Sequence, residues 1–115
     1  MTDHKDKRKS PRFLMGLPLE GQLMDVPYAF GGIAVNGSDG GILFHSPKDI
    51  PIGTKLNIAL FFSKKFELAN FEGLAEIVWK EKENGDGYKY GLKFIKIKEE
   101  DLQKLRQLLS NQFQM

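Results

Sequence analysis

The residues best suited to chemistry lie in two short polar segments. Arg8 and Arg12 stand four positions apart in a basic segment, and twenty-four residues later comes the hexamer Asn36-Gly37-Ser38-Asp39-Gly40-Gly41. An arginine guanidinium forms paired hydrogen bonds with a phosphate or with the O6 and N7 atoms of guanine. A glycine-rich turn either closes a hairpin or brings backbone N–H groups close to a ligand. The arginine pair therefore indicates binding chemistry, and the glycine-rich hexamer is either a plain hairpin turn or part of the same site.

Arginine is scarce in this chain, which makes its placement informative. The sequence has seventeen basic residues, and Arg8 and Arg12 are two of only three arginines. Residues 1–12 carry a net charge of +3, whereas the other 103 residues together carry −1. A merely solubilising tail in a lysine-rich chain would use lysine. We therefore predict a flexible basic arm over residues 1–12 that contacts an anionic ligand, the alternative being a disordered tail or a nonspecific electrostatic tether.

Catalytic and metal-binding patterns are missing from the sequence. Neither His4 nor His45 has a partner at ligand spacing, and the chain contains no cysteine. No nucleophile elbow or Walker-type loop occurs, and most carboxylates lie in charged runs such as Glu81-Lys82-Glu83. We expect no catalytic residue, no metal and no cofactor, and hence a binding module rather than an enzyme.

Length and composition limit the class of protein. A chain of 115 residues with 41% hydrophobic residues is long enough for one domain with a modest core. No stretch approaches the roughly 18 uninterrupted apolar residues of a membrane span. The polar N-terminus has no apolar segment of the kind that secretory signals contain. The expected protein is cytoplasmic and does not span a membrane.

Short apolar segments between turn residues predict the elements that must position these groups. The predicted strands cover residues 13–24, 28–35, 41–45, 55–62, 66–82 and 88–97. We expect an interruption of the fifth strand near Asn70 or Gly73, and a hairpin turn at Asn84-Gly85-Asp86-Gly87. Acidic residues followed by a leucine stripe at helical spacing predict a helix at about 99–113.

This order of elements predicts an all-β fold. It is a small six-stranded antiparallel split β-barrel over residues 13–115, preceded by the flexible arm and ending in one C-terminal α-helix. The apolar helix stripe is expected to pack on the sheet; it consists of Leu102, Leu105, Leu108, Leu109 and Phe113.

Two motifs occur together inside this predicted barrel. Arg8 and Arg12 form R-x-x-x-R, and Asn36, Ser38 and Gly41 form N-x-S-x-x-G. In this order and context the sequence resembles the PilZ domain family, whose members bind the bacterial second messenger cyclic di-GMP. Asn36 occupies a position where the family has aspartate or asparagine. The late segments Ile77-Val78-Trp79 and Tyr90-Gly91-Leu92-Lys93-Phe94 and the closing helix also resemble the family, so the resemblance covers essentially the whole chain.

The resemblance implies a role for each motif residue. Arg8 and Arg12 would bind a guanine edge and phosphates of cyclic di-GMP. Asn36 and Ser38 would hydrogen-bond another guanine edge or the arm. Gly41 would let the backbone approach the ligand without a Cβ clash.

Two further residues have open roles. Lys7, just before the first motif, is either an extra phosphate contact or a solvated side chain. Trp79 either offers its ring face to a base or packs within the barrel.

The resemblance implies a single-domain cyclic di-GMP receptor or adaptor that changes conformation on binding and signals through a partner protein. One alternative is a nucleic-acid-binding β-barrel with a basic arm, although the near-neutral barrel disfavours it. The other is a PilZ-like adaptor that does not bind nucleotide, although the complete motifs disfavour it.

Overall fold

A computed structural model of the chain describes residues 13–24, 29–38, 40–64 and 67–113. The described part contains six antiparallel strands followed by one helix. They are β1 (Phe13–Leu23), β2 (Ala29–Gly37), β3 (Gly41–Ser46), β4 (Lys55–Lys64), β5 (Glu67–Lys82), β6 (Tyr88–Lys96) and α1 (Glu99–Phe113). The order β1-β2-β3-β6-β5-β4 closes into a barrel. The predicted all-β barrel with a C-terminal helix is confirmed, while the predicted arm lies outside the described residues.

The barrel interior is built from the alternating pattern of the strands. Leu56, Ile58 and Leu60 of β4 are buried, whereas Lys55 and Asn57 between and before them are exposed. Successive side chains of a strand point to opposite faces, so every second residue enters the core. Burying one such side chain contributes about 1.5–3 kcal/mol to stability.

Aromatic rings fill much of the same core. Phe44 of β3 stacks on Tyr90 of β6 with ring centroids 5.1 Å apart, and Phe30 of β2 stacks on Phe44 at 6.2 Å. Phe71 of β5 packs against Phe94 of β6 at 5.4 Å. The Phe44–Tyr90 contact therefore ties β3, in the first half of the chain, to β6, in the second half.

Two pairings close the barrel between segments distant in sequence. β1 pairs with β4 over a short ladder from Leu19–Leu60 to Leu23–Leu56. β3 pairs with β6 from Gly41–Lys93 to Ser46–Tyr88. The second ladder places the glycine-rich hexamer beside the late segment of β6.

The expected interruption of the fifth strand near Asn70 or Gly73 is wrong. β5 is continuous, because its ladder with β4 runs unbroken along the whole of Lys55–Lys64. Its irregularities lie on the other edge, toward β6, where the register shifts after Leu74 and after Ile77. Backbone hydrogen bonds to a long neighbouring strand outweigh the local preference of Asn and Gly for turns.

The hairpin predicted at residues 84–87 is confirmed. The backbone N–H of Glu83 donates to the carbonyl oxygen of Gly87 at 3.1 Å. Gly85 and Gly87 have φ angles of 87° and 119°, a region that other residues rarely adopt. This turn fixes the register between β5 and β6.

Helix α1 packs against β5 and β1. Leu105 and Leu108 of its predicted stripe are buried, while the side chains of Leu109 and Phe113 lie outside the described part. The buried Asp101 carboxylate accepts a hydrogen bond of 3.1 Å from the backbone N–H of Glu72. This bond joins the first turn of α1 to β5. Within the described ranges, no helix has the length and apolar character needed to cross a membrane.

Candidate ligand-binding site

Both ends of the glycine-rich hexamer belong to β-strands. Asn36 and Gly37 belong to β2, Gly41 begins β3, and residues 38–40 connect the two strands. The second strand was predicted to stop at residue 35, but its ladder with β3 continues through Asn36–Leu43 and Gly37–Ile42. These backbone pairings extend the strand despite the glycine, so Asn36 is held by a sheet rather than by a loop.

Ser38 closes the turn with two hydrogen bonds and is only 5% exposed. Its backbone N–H donates to the carbonyl oxygen of Gly41 at 2.9 Å. Its Oγ accepts from the backbone N–H of Gly40 at 3.2 Å. A hydroxyl that accepts one bond still has a proton to donate. Ser38 therefore has a structural role and retains the capacity to bind a ligand.

Gly41 is required by its neighbour strand. A Cβ atom at this position would lie 2.1 Å from the carbonyl oxygen of Leu92 in β6, a distance that no real pair of these atoms adopts. The resemblance implied a different reason for glycine at this position, namely the close approach of a ligand to the backbone. The ligand contact implied for Gly41 stays a prediction, but the need for glycine already follows from the packing of β3 on β6.

Asn36 lies in a row of residues that crosses the barrel surface from strand to strand. The pairings Leu14–Asn36, Asn36–Leu43, Leu43–Gly91 and Gly91–Trp79 are each in register. Directly paired residues point to the same side of a sheet. The row faces outward, since the residues on either side of it along β3 and β6 are buried.

We call Asn36, Leu43, Gly91 and Trp79 the outer row. Neighbouring strands are about 4.8 Å apart, so Asn36 and Trp79, which are three strands apart, are separated by about 14 Å. Asn36 is half-buried and forms interactions within the protein. The row thus runs from an amide at one end to an aromatic ring at the other.

Trp79 covers the backbone of Gly91. A Cβ atom on Gly91 would lie 3.1 Å from Cβ and 3.7 Å from Cε3 of Trp79. The Trp79 side chain is 42% exposed and stands outside the buried core. An exposed indole is a surface on which a nucleobase can stack. Glycine at position 91 leaves room for the indole on the outer face.

The resolved pKa shifts belong to a separate cluster that holds the loop between β3 and β4. The Tyr90 hydroxyl donates to the carbonyl oxygen of Lys48 and accepts from the N–H of Ile50 at 2.8 Å. Burial raises the pKa of Tyr90. A hydrogen bond between Lys80 and Asp49 lowers the pKa of Asp49 and raises that of Lys80. Together the inward-facing Tyr90 of β6 and Lys80 of β5 fasten the loop that carries Asp49.

The sequence-predicted site residues divide into three sets. Asn36, Ser38 and Gly41 are brought together at the β2–β3 connection, and Trp79 shares the outer row with Asn36. The remaining three, Lys7, Arg8 and Arg12, lie outside the described residues.

Leu43 and Gly91 were not predicted as site residues. Only the strand register places them between Asn36 and Trp79, and register depends on pairing between distant segments. In the sequence, the one available signal was that Leu43 and Gly91 each lie between two apolar residues of a strand, which predicts that they face outward. Among the described residues, no group of three or more His, Cys, Asp or Glu side chains is arranged to hold a metal ion.

Solved structures with a similar fold include the Bacillus subtilis inhibitor of motility MotI/DgrA, with a TM-score of 0.77 and 18% identity over 91% of this chain and 50% of that chain. The PilZ domain of Escherichia coli YcgR with c-di-GMP matches with a TM-score of 0.75 and 10% identity, over 94% of this chain and 92% of that domain. A YcgR–c-di-GMP complex from Escherichia coli matches with a TM-score of 0.69 and 10% identity, over 91% of this chain and 45% of that one.

The chain thus spans about half the length of MotI/DgrA and of the longer YcgR chain. At these identities the structural similarity shows the fold alone. A search of the curated proteins finds no significant match. The family assignment comes from the sequence, because the family model of the PilZ domain matches residues 6–111. This match covers both motifs, the whole barrel and most of the helix, and the chain belongs to the PilZ domain family.

Proposed function

We propose that the protein is a receptor for cyclic di-GMP that works as an adaptor rather than as an enzyme. The observation that carries this proposal is the placement of Asn36 and Trp79 in one outward-facing row beside the Ser38–Gly41 turn. Membership of the PilZ family and the similarity to YcgR, whose structures contain c-di-GMP, support the same ligand.

The chemistry of the site suits a ligand with two guanines and two phosphates. The Asn36 amide and the Ser38 hydroxyl offer both donors and acceptors to a guanine edge. The exposed face of Trp79 offers a stacking surface to a base, which contributes about 1–3 kcal/mol per base in nucleic-acid complexes. Polar recognition at one end of the outer row and stacking at the other would orient the ligand across β3 and β6.

The basic arm supplies the remaining contacts in this proposal. Ordering about eight arm residues costs on the order of 8–16 kcal/mol of backbone entropy. Each hydrogen bond to a charged group returns about 1.5–3 kcal/mol. Several contacts from Arg8 and Arg12 are needed to offset that cost, and a phosphate contact from Lys7 would add to them. Binding and arm ordering are therefore coupled, and removal of one arginine weakens binding by about tenfold to a hundredfold.

Calorimetric titration with cyclic di-GMP tests the proposal. The unmodified protein should bind at micromolar concentrations, and Arg8→Ala or Arg12→Ala should each weaken binding by at least about tenfold. Lys5→Ala is the matched control, since it removes one positive charge from the arm outside the motif; it should change the affinity by less than about threefold. Absence of binding heat for the unmodified protein at tens of micromolar would overturn the proposal.

The adaptor role has its own test. We infer that the arm closes over the barrel when the ligand binds and that the altered surface signals to a partner protein. Hydrogen exchange should then slow at residues 5–12 in the presence of cyclic di-GMP. Equal protection with and without the ligand would refute the closure.

The nucleic-acid alternative predicts a different result. Binding of an RNA or DNA oligonucleotide with steep salt dependence, and no response to cyclic di-GMP, would favour that alternative.

A further inference from the structure

Lys93 stands at the edge of the outer row. It lies directly opposite Gly41 in the β3–β6 ladder and two positions after Gly91 on the same face of β6. Two residues along a strand correspond to about 7 Å. Lys93 is exposed, and Gly41 places no side chain between it and the Ser38–Gly41 turn. An extended Lys93 side chain can therefore reach both the turn and the stacking surface of Trp79.

A second lysine, Lys89, lies two positions before Gly91 on β6 and already forms an ion pair. Its Nζ lies 3.2 Å from Oε2 of Glu83, whose Oε1 is 3.0 Å from Nε2 of His45. Its charge is therefore partly neutralised by a carboxylate. An anion that approached the outer row from the Lys89 side would also approach Glu83.

Lys93 differs in its surroundings. Its cross-strand neighbour on β5 is Glu76, yet no ion pair within 4.0 Å joins Lys93 to any carboxylate among residues 13–24, 29–38, 40–64 and 67–113. The ammonium of Lys93 is thus available to an anion near the turn.

We propose that Lys93 binds a phosphate of the ligand and so fixes its direction on the outer row. This proposal rests on the proposed function, because it concerns the same ligand. Trp79 lies on β5 opposite Gly91, so its Cα is about 4.8 Å across and about 7 Å along the sheet from that of Lys93, which is about 8 Å in total. A ribose can join a base stacked on Trp79 to a phosphate at Lys93 over this distance. The opposite direction would bring the phosphate to Glu83. An ammonium group gives the phosphate a charge-assisted hydrogen bond without specifying its orientation.

The test is calorimetric titration of cyclic di-GMP into the unmodified protein, Lys93→Gln, Lys93→Arg and Lys55→Gln. Lys93→Gln should weaken binding by about tenfold at low salt and reduce the dependence of affinity on salt. Lys93→Arg should retain most of the affinity. Lys55→Gln is the control, because it removes a positive charge from the same face of the barrel, two strands away from Lys93. The affinity of this variant for cyclic di-GMP should stay within about twofold of that of the unmodified protein.

The outcomes separate the two proposals. If the unmodified protein binds and Lys93→Gln binds equally well with the same salt dependence, the role of Lys93 is wrong while the receptor function stands. If Lys55→Gln weakens binding as much as Lys93→Gln, the effect is one of net charge and the phosphate contact is refuted. If the unmodified protein does not bind, both proposals fail. Thermal denaturation of each variant checks that the exposed substitutions leave the fold intact.

Discussion

The backbone N–H of Phe94 donates a hydrogen bond of 3.1 Å to the carbonyl oxygen of Gly40, fifty-four residues earlier in the sequence. This bond joins the β2–β3 turn to β6 at the place where Gly41 packs against the Leu92 carbonyl. The turn also closes on itself through Ser38. These contacts hold Ser38, Gly40 and Gly41 against the barrel, and such preorganisation would lower the entropic cost of binding the proposed ligand.

Replacing Gly41 with alanine should destabilise the barrel. The new Cβ would lie 2.1 Å from the Leu92 carbonyl oxygen, and this neighbour is backbone that cannot rotate away. The β3–β6 ladder must shift, at a cost of at least about 2 kcal/mol in the free energy of unfolding. Urea denaturation followed by circular dichroism measures this cost.

Gly31→Ala provides the control for Gly41→Ala. Gly31 lies in β2, and a Cβ atom there would meet no atom within 4 Å. Its free energy of unfolding should stay within about 0.5 kcal/mol of the original. A Gly41→Ala protein as stable as Gly31→Ala would contradict the packing that we describe. Reduced ligand binding by Gly41→Ala would by itself say nothing about a direct contact.

Ser38→Ala should affect both stability and binding. The substitution removes the hydrogen bond from the Gly40 N–H to Oγ, which should lower the free energy of unfolding by about 0.5–1.5 kcal/mol. If the hydroxyl also contacts cyclic di-GMP, the affinity should fall by about tenfold at a temperature where the variant is fully folded. Ser63→Ala, at an exposed position of β4, is the control for both measurements. An unchanged affinity for Ser38→Ala would limit this serine to a structural role.

Tyr90→Phe should make stability less dependent on pH in the alkaline range. The fold raises the pKa of Tyr90 by burial, so the unfolded chain releases this proton at lower pH than the folded protein does. The contribution of Tyr90 is therefore fully present below pH of about 10 and is lost as the pH rises through the folded-state value. At neutral pH, loss of the bonds to Lys48 and Ile50 should cost about 1–3 kcal/mol.

Urea denaturation from neutral pH to about pH 11 measures the Tyr90 effect. The difference in stability between the original protein and Tyr90→Phe should shrink toward the alkaline end. Alkaline titration that the two proteins share cancels in this difference. A difference that stays constant with pH would contradict the raised pKa.

Asp101→Ala should loosen helix α1 from β5. The carboxylate accepts from the backbone N–H of Glu72 at 3.1 Å and lies 3.7 Å from Nζ of Lys104. Its loss should lower the free energy of unfolding by about 1–3 kcal/mol and speed hydrogen exchange at Glu72. Glu100→Ala removes the same charge from the same helix turn at an exposed position and should have a much smaller effect. Equal effects of the two substitutions would show that charge near the helix start, and not the buried bond, is responsible.

Local signals in the sequence were sufficient for most of the fold. Alternation along Leu56, Ile58 and Leu60 predicts a strand with one buried face, and the 84–87 turn follows from glycines suited to positive φ. The acids at 99–101 and the leucine spacing predict the helix within its observed bounds. Each of these signals depends on residues close together in the chain.

Features that depend on pairing between distant segments were not predictable in the same way. The continuity of β5 past Asn70 is set by its ladder with β4, and the extension of β2 through Asn36 is set by its ladder with β3. The position of Gly91 between Leu43 and Trp79 requires the register of two further ladders. The contacts of Arg8 and Arg12 stay predictions, because the arm lies outside the described residues.

The β3–β6 ladder also determines when a complete site can exist during synthesis and folding. Gly41 and Lys93 are paired although fifty-two residues separate them, the longest sequence separation among the strand pairings of the described barrel. Contacts this distant carry a large loop-closure cost and form slowly. A chain still emerging from the ribosome has Asn36 and Ser38 but not yet Trp79 or Gly91 beside them. Occupation of the outer row would consequently distinguish finished barrels from partly folded chains.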